Sequence, residues 1–336
     1  MSLKQVLSQA VIAVFLTVNL SVDAHAQEKI WFDTDQLMGN PERAPREVDD
    51  AIALIMALKF HKDIQIEGIS LVTDVDYGYE ITSKILKEYW AGKPIPIYKG
   101  SDKCKDIGVE NEATIALAAA LKKQKMRIVA IGPATNIATV LKNHPELAKQ
   151  IKEIVFCAGR TPNYPFTFGL ERIIVSDYNV DRDPEAFQVV LESQVPVVLS
   201  GFQCSEYLFL GKTDYEFLAN GDEFEKYMYE TFLPWSGRMK MGFGIEGFVP
   251  WDTTPVGYLT HPDYFKYYEN IPTKMVEKDN DATLPLIKSK DQKKKMFLES
   301  SYDYDSPYKV KFAYRTVLGF EEIVLETLKA EKPFGK

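Results

Sequence analysis

Asp33, Asp35, Asp49 and Asp50 stand between two apolar runs, residues 30–32 and 51–60. The first run reads as a buried strand and the second as a buried helix. Burying an unpaired carboxylate costs several kcal/mol or more, so a group of four calls for a partner. Asp33 and Asp35 are two apart at a strand end, so they project to one side. Asp49 and Asp50 open the helix, where free N–H groups and the backbone dipole stabilise negative charge. A helix cap would explain that second pair alone; the two pairs together point to a metal ion. A hard cation with oxygen ligands, Ca2+ or Mg2+, suits carboxylates, whereas zinc prefers His or Cys. The spacing is wrong for an EF-hand loop, and Cys104, Cys157 and Cys204 include no close pair.

The elements that must hold these groups alternate regularly. Strands are predicted over 30–32, 66–72, 95–98, 127–131, 154–157 and 195–199. Helices are predicted over 49–60, 80–90, 112–123, 135–143 with 145–150, and 183–192. The pattern predicts an α/β fold: a single open, mostly parallel, Rossmann-like sheet with helices on both faces. Ligands of such sheets gather beyond the carboxyl ends of the strands, where Asp33, Asp35 and the turn Ile131-Gly132-Pro133 all fall. From about Phe202 aromatic residues become dense, and helices packed over one end of the sheet are expected. The tail contributes a Lys-rich loop, one strand around 310–313 and a closing helix over 319–329. Residues 36–48, with Gly39, Pro41 and Pro45, read as a loop between the two carboxylate pairs.

The chain has 336 residues, 46% hydrophobic and 26% charged, which suits a folded domain rather than a disordered chain. Lys4, an apolar run over 10–20 and Ala24-His25-Ala26 have the order of a cleavable secretory signal over residues 1–26, too short in its apolar part to span a bilayer. A single domain over 27–336 is expected, exported from a bacterial cytoplasm to the periplasm or the medium, with no membrane contact after cleavage. The formal net charge of −8 and the lack of a basic stripe exclude nucleic acid as a natural partner; the basic run 288–295 reads as a solvated loop. Cys157, in an apolar segment, reads as a core residue.

The stretches FDTD and DDAIALIMAL resemble the aspartate motif of the inosine-uridine-preferring nucleoside hydrolases. IVAIGPATNIATVLKNHPELAKQIKEIVFCAG, SDYNVDRDPEAFQVVLESQVPVVL and IEGFVPWDTTPVGYL resemble further elements of that family, in the same order. The resemblance implies a nucleoside hydrolase fold, one Ca2+ at the bottom of a pocket, a small-molecule nucleoside substrate and a homo-oligomer, dimer or tetramer. It assigns the metal to Asp35, Asp50, Asp252 and the carbonyl of Ile131. It places Asp49 and Asn179 on the ribose, sets Asp177 where a glutamate is usual, and leaves Asp33 as a support behind the cluster. Asp35 becomes the base that takes a proton from water as it attacks the anomeric carbon.

Three departures stand out. The loop 36–48 is longer than the family pattern and is expected to act as a lid or to narrow the substrate range. Trp251 stands where many members have a histidine that protonates the leaving base, and none of His25, His61, His144 and His261 falls in a matching motif. Trp251 either stacks on a purine and leaves protonation to solvent or anchors the Asp252 loop as a core residue. Asp74, Val75 or Asp76 replaces an expected asparagine, and Glu171 stands in for a second ribose-binding asparagine missing from 167–173. Two other readings remain at this point: a non-catalytic Ca2+ and sugar binder, and a haloacid dehalogenase-type phosphatase using Asp33-Thr34-Asp35 as its nucleophile motif.

Overall fold

The computed structural model describes residues 27–41, 44–283 and 293–332, so the expected signal segment and much of the basic run lie outside the described residues. The chain enters its core through β1 (Glu28–Thr34), buried from Ile30 onward. Ile30 and Phe32 join one apolar layer and Trp31 the other, the alternation of a strand covered on both faces. α1 (Asp49–Lys59), β2 (Ile64–Leu71), α2 (Val75–Tyr89), β3 (Ile97–Lys99), α3 (Glu112–Lys123), β4 (Met126–Ala130), α4 (Thr135–Asn143) and β5 (Ile151–Phe156) follow in turn. A short hairpin, β6 (Thr167–Phe168) and β7 (Ile173–Ile174), precedes α5 (Tyr178–Arg182), α6 (Pro184–Glu192) and β8 (Val197–Leu199). Then come α7 (Phe202–Ser205), β9 (Leu210–Gly211), α8 (Lys212–Tyr215), α9 (Glu223–Phe243), β10 (Gly247–Phe248) and α10 (Thr253–Thr260). The chain closes with β11 (Phe265–Asp279), β12 (Lys294–Ser300), β13 (Lys309–Thr316) and α11 (Phe320–Lys329).

Nine of these strands form one sheet in the order β12-β11-β13-β8-β5-β4-β1-β2-β3. The seven from β13 to β3 run parallel, and β11 is antiparallel to both its neighbours. From β1 the chain adds β2 and β3 on one side and then returns to place β4 on the other. The direction of winding therefore reverses between β1 and β4, and a crevice opens there at the carboxyl ends of the strands. Asp33 pairs with Ala130 across this junction, and the Ile131 N–H donates to the Asp33 carbonyl at 2.9 Å.

Local signals fix the helix ends. Asn111 caps α3 in a reciprocal pair with Thr114, Asp183 caps α6 just before Pro184, and Asp222 caps α9 with Glu225. Gly244 ends α9 at φ +73°, a conformation that suits glycine. The aromatic density after Phe202 does build the expected helical layer: Tyr215, Phe232 and Phe248 have ring centroids 5.3–5.6 Å apart. β11 and β12 are the long strands that sequence patterning missed. β11 is exposed or half-buried along most of its length, and β12, though buried from Phe297 to Ser300, mixes Lys294, Lys295, Glu299 and Ser300 with its apolar residues, so neither has the continuous apolar run of the buried parallel strands. β11 is also broken by register shifts beside Asn270, which sits at φ 52°.

α10 packs against α11 through Gly257, where an added Cβ would fall 2.2 Å from Cζ of Phe320 and 2.9 Å from Cζ of Phe265, both buried rings. Gly257→Ala is expected to lower stability by about 1–3 kcal/mol through overpacking. Urea denaturation measures it, and an unchanged midpoint would show that the rings give way freely.

Candidate active site

Asp50 is fixed before any ligand is considered. Its carboxylate accepts from the Thr34 hydroxyl and from the Asp35 N–H, so the end of β1 clamps the start of α1. Asp49 and Asp50 lie in the first turn of α1, and Asp252 is the N-cap residue of α10. Two helix N-termini thus bring their acids to the β1–β4 crevice, where the dipoles favour negative charge. One carboxylate oxygen from each of Asp49, Asp50 and Asp252 lies within 4.8 Å of the others, and all three residues are buried. Asp35, also buried, lines a cavity of about 20 Å3 with Asp50, Leu37, Arg46, Glu47 and Tyr178. Gly132 makes room for Asp35, since a Cβ there would come within 3.0 Å of its amide nitrogen and Oδ1.

Burial drives up the carboxyl pKa values throughout the group. Asp35, Asp49 and Asp252 are pushed well above the usual carboxylate range by desolvation and then by neighbouring carboxylates, with Asp50 acting on all three. Asp50 is raised to about 7, chiefly by burial, against the pull of its Thr34 bond. Asp49 and Asp252 share a hydrogen bond, while Asp49 Oδ1 is buried without a partner. Such a group needs either protons or a cation. Its donors are all oxygen, and two oxygens on opposite sides of one Ca2+ stand about 5 Å apart, so the triplet fits a hard divalent ion.

Asp33 lies behind this layer, fully buried. It accepts from the Ser70 hydroxyl and, at 3.0 Å, from Nδ2 of Asn136; burial raises its pKa to about 7. Trp31 donates to Ser70 at 2.8 Å, and Asn136 also donates to the Leu71 carbonyl at 3.0 Å and accepts from the Ser101 N–H at 2.9 Å. An acid held this way is a brace and cannot reach a substrate as a nucleophile, which corrects the phosphatase reading. Asn136 was not singled out from the sequence, although it ends the GPATN turn quoted for the resemblance.

Asn179 Nδ2 bridges the carbonyls of Ile131 and Cys157 at 2.9 and 3.0 Å, so the Ile131 oxygen and this asparagine share one spot at the ends of β4 and β5. Asp177 accepts from the N–H groups of Gly159 and Val180 at 2.8 and 3.2 Å, acting as a cap for α5. Burial holds its carboxyl at about 6. Trp251 stacks obliquely on Phe168 with centroids 5.7 Å apart, and its indole Nε1 is buried without a partner. The Cys157 thiol, kept protonated by burial, donates to Asp252, so this half-buried residue faces the site and is more than core filling. Glu171 is exposed in the β6–β7 turn, and no hydrogen bond or ion pair among the described residues ties it to the carboxylates.

The structure differs from the assigned ligand set in one respect: Asp49 joins Asp50 and Asp252 in the tight triplet, and Asp35 flanks it on the Asp50 side. The turn after β1 directs Asp35 toward Gly132 and the small cavity, whereas Asp49 starts α1 opposite Asp252. The described residues of the insertion 36–48 are well seated. Gln36, Leu37, Met38, Asn40 and Val48 are buried, Tyr77 donates to the Met38 carbonyl at 2.7 Å, and Gly39, at φ +74°, lies against Tyr227 and Thr231 of α9.

The sequence pattern of the inosine-uridine preferring nucleoside hydrolases matches residues 30–297. Pyrimidine-specific ribonucleoside hydrolase RihA of Citrobacter koseri is 31% identical over 44% of this chain and 46% of its own length, so that match spans about half of the relative. Pyrimidine-specific ribonucleoside hydrolase RihB of Shigella sonnei is 26% identical over 66% of this chain and 78% of its own. Among solved structures, a plant nucleoside hydrolase superposes with a TM-score of 0.68 at 18% identity, covering 90% of this chain and 98% of that one. A purine-preferring ribonucleoside hydrolase from Gardnerella vaginalis gives 0.68 at 17% identity with the same coverage. At such identities the superpositions speak for the fold.

Replacing Asn136 by Leu keeps the volume but removes donors to Asp33 and Leu71 and the acceptor for Ser101. The variant is expected to lose about 2–4 kcal/mol, because groups already buried are left unpaired. Chemical denaturation of parent and variant measures the difference, and a loss below about 1 kcal/mol would show that Asp33 does not depend on this brace.

Proposed function

We propose the function that follows from one premise: the chain belongs to the inosine-uridine preferring nucleoside hydrolase family. Members of that family hydrolyse N-ribosyl bonds, and this chain is a hydrolase of that kind. On our reading it is an exported, Ca2+-dependent enzyme that splits ribonucleosides into ribose and base, for purine or pyrimidine salvage. The observation that carries the reading is the buried group of Asp35, Asp49, Asp50 and Asp252 at the reversal of strand order. Asp50 and Asp252 are the ligands on which the resemblance and the packing agree. The resemblance adds Asp35 and the Ile131 carbonyl to the metal and keeps Asp49 for the sugar. Bound there, Ca2+ would lower the pKa of a water and order the sugar hydroxyls.

The reaction breaks the bond from the anomeric carbon to the base nitrogen and forms a bond from that carbon to a water oxygen. Asp35 takes a proton from the attacking water. Positive charge developing on the sugar is stabilised by the surrounding carboxylates. The unpartnered Asp49 Oδ1 is free to accept a ribose hydroxyl, and Asn179, its Nδ2 held by the Ile131 and Cys157 carbonyls, offers its Oδ1. Trp251 and Phe168 supply an aromatic wall for the base, and the departing nitrogen takes its proton from solvent. Export rests on residues 1–26, and assembly as a dimer or tetramer rests on the family resemblance.

Incubation of the mature protein with inosine, uridine and adenosine is expected to release ribose, and EDTA to stop it until Ca2+ is restored. Binding without turnover would favour the non-catalytic reading, for which Trp251 in place of a histidine is the motive. Asp35→Asn is expected to lower kcat by about 10²–10⁴. Near-normal turnover of that variant with Ca2+ still bound, by isothermal titration calorimetry, would remove Asp35 as the base. N-terminal sequencing of the exported protein checks processing near Gln27.

A further inference from the structure

The end of the insertion brings cationic groups to an acidic site. Arg46 lines the same cavity as Asp35 and Asp50, and its Nε is buried without an acceptor. Tyr178, 40% exposed, lines that cavity too. Arg182 lies over the Tyr178 ring, with Cζ 5.9 Å from its centroid; its Nε too is buried without an acceptor. Arg182 spends one N–H on the Lys103 carbonyl at 3.4 Å, and neither arginine forms an ion pair among the described residues. Arg238 reaches the loop from α9, donating to the Pro45 carbonyl at 2.8 Å.

Acidic groups near this rim are largely committed elsewhere. Glu47 balances part of the charge of Arg46 and Arg238. Asp181 pairs with Lys295 at 3.2 Å, Asp183 caps α6 and accepts from Thr135, and Asp106 accepts from Ser101. Arg46 in the cavity lining and Arg182 against Tyr178 thus each keep an unfilled Nε beside carboxylates suited to a ribose and a cation. A guanidinium fork matches the oxygens of phosphate, and a structural role for both arginines would have given them acceptors.

We infer that Arg46 and Arg182 form a phosphate-recognition rim, so that this chain takes ribosides phosphorylated at the 5′ position, nucleoside 5′-monophosphates, in preference to uncharged nucleosides. The inference rests on the hydrolase reading for the ribose and goes beyond it in naming the substrate's charge. The cavity of about 20 Å3 holds little more than a water, so the phosphoryl group sits above it, across Tyr178.

Calorimetry on the Ca2+-loaded full chain with uridine, uridine 5′-monophosphate, inosine and inosine 5′-monophosphate tests this directly. Each monophosphate is expected to bind about tenfold or more tighter than its nucleoside, as charge-assisted bonds to phosphate imply. Arg46→Gln and Arg182→Gln are each expected to reduce that ratio several-fold, and the double variant to bring it near one, with melting temperatures recorded to establish folding. Parallel kinetics should place the change in KM rather than kcat. Equal affinity of the parent for nucleoside and monophosphate would overturn the inference, as would a preference that survives in the double variant. Preferential binding of monophosphates without turnover would keep the rim and sink the hydrolase reading; turnover of nucleosides without any phosphate preference would do the reverse.

Discussion

Four carboxylates removed from water within a few ångströms of one another set the terms for everything around them. Left ionised and unpaired they would repel strongly and lose hydration, costs of several kcal/mol each. The fold meets part of this cost before any cation arrives. Thr34 and the Asp35 amide hold Asp50, the first turns of α1 and α10 present their dipoles, and Ser70 with Asn136 occupies Asp33 behind them. What these devices leave over is a group of oxygen donors still in want of positive charge. The architecture can supply such a group because the strand order reverses between β1 and β4, the one junction where a loop after β1, the start of a helix and the end of β4 meet without a covering crossover.

The same constraint explains why the insertion 36–48 is anchored. A loop carrying charged residues past a desolvated acidic group must have a fixed position, or its charges would exchange between water and the site. Leu37, Met38 and Val48 provide that position by burial, and Gly39 allows close approach to α9. Its far end then delivers Arg46 and Glu47 to the cavity lining, where the charge of the arginine partly offsets that of the glutamate. The described residues of the insertion thus form a wall that shapes the electrostatics of the pocket.

How much of this was legible in the sequence depended on burial. β1, β2, β4 and β5 are covered on both faces, so their apolar runs are continuous and their positions were readable to within a few residues. β11 is largely exposed and is irregular at Asn270, and β12 buries charged and polar residues among apolar ones, so both mix residue types without a clean period. At the site, Asp50 and Asp252 could be anticipated from motif order, but the closer approach of Asp49 to Asp252 depends on how α1 and α10 pack. Asn136 and Thr34 braced the cluster unnoticed, because an asparagine or threonine at an element end reads equally well as a cap. Arg46 and Arg182 are far apart in the chain and meet only through Tyr178, a contact that no local pattern encodes.

Trp251 shows how the chemistry adjusts to the scaffold. Its backbone is committed: the carbonyl accepts from Thr254 at 3.0 Å and helps start α10, so the residue must hold its place for Asp252 to hold its own. On the proposed function its ring, packed on Phe168, would give the base an aromatic face, but it has no titratable proton for the departing nitrogen. A site without that acid must draw more of its rate from the sugar side, from charge stabilisation of the oxocarbenium-like state and from a well-placed water. Five carboxylates, Asp35, Glu47, Asp49, Asp50 and Asp252, lie in this group; burial disfavours their charged forms, and a bound cation would keep them ionised in a low dielectric where their electrostatic effect is strongest. Loss of the acid and concentration of carboxylate charge under the ribose are in this sense one arrangement, in which the leaving base is left to solvent and the sugar is held by the protein.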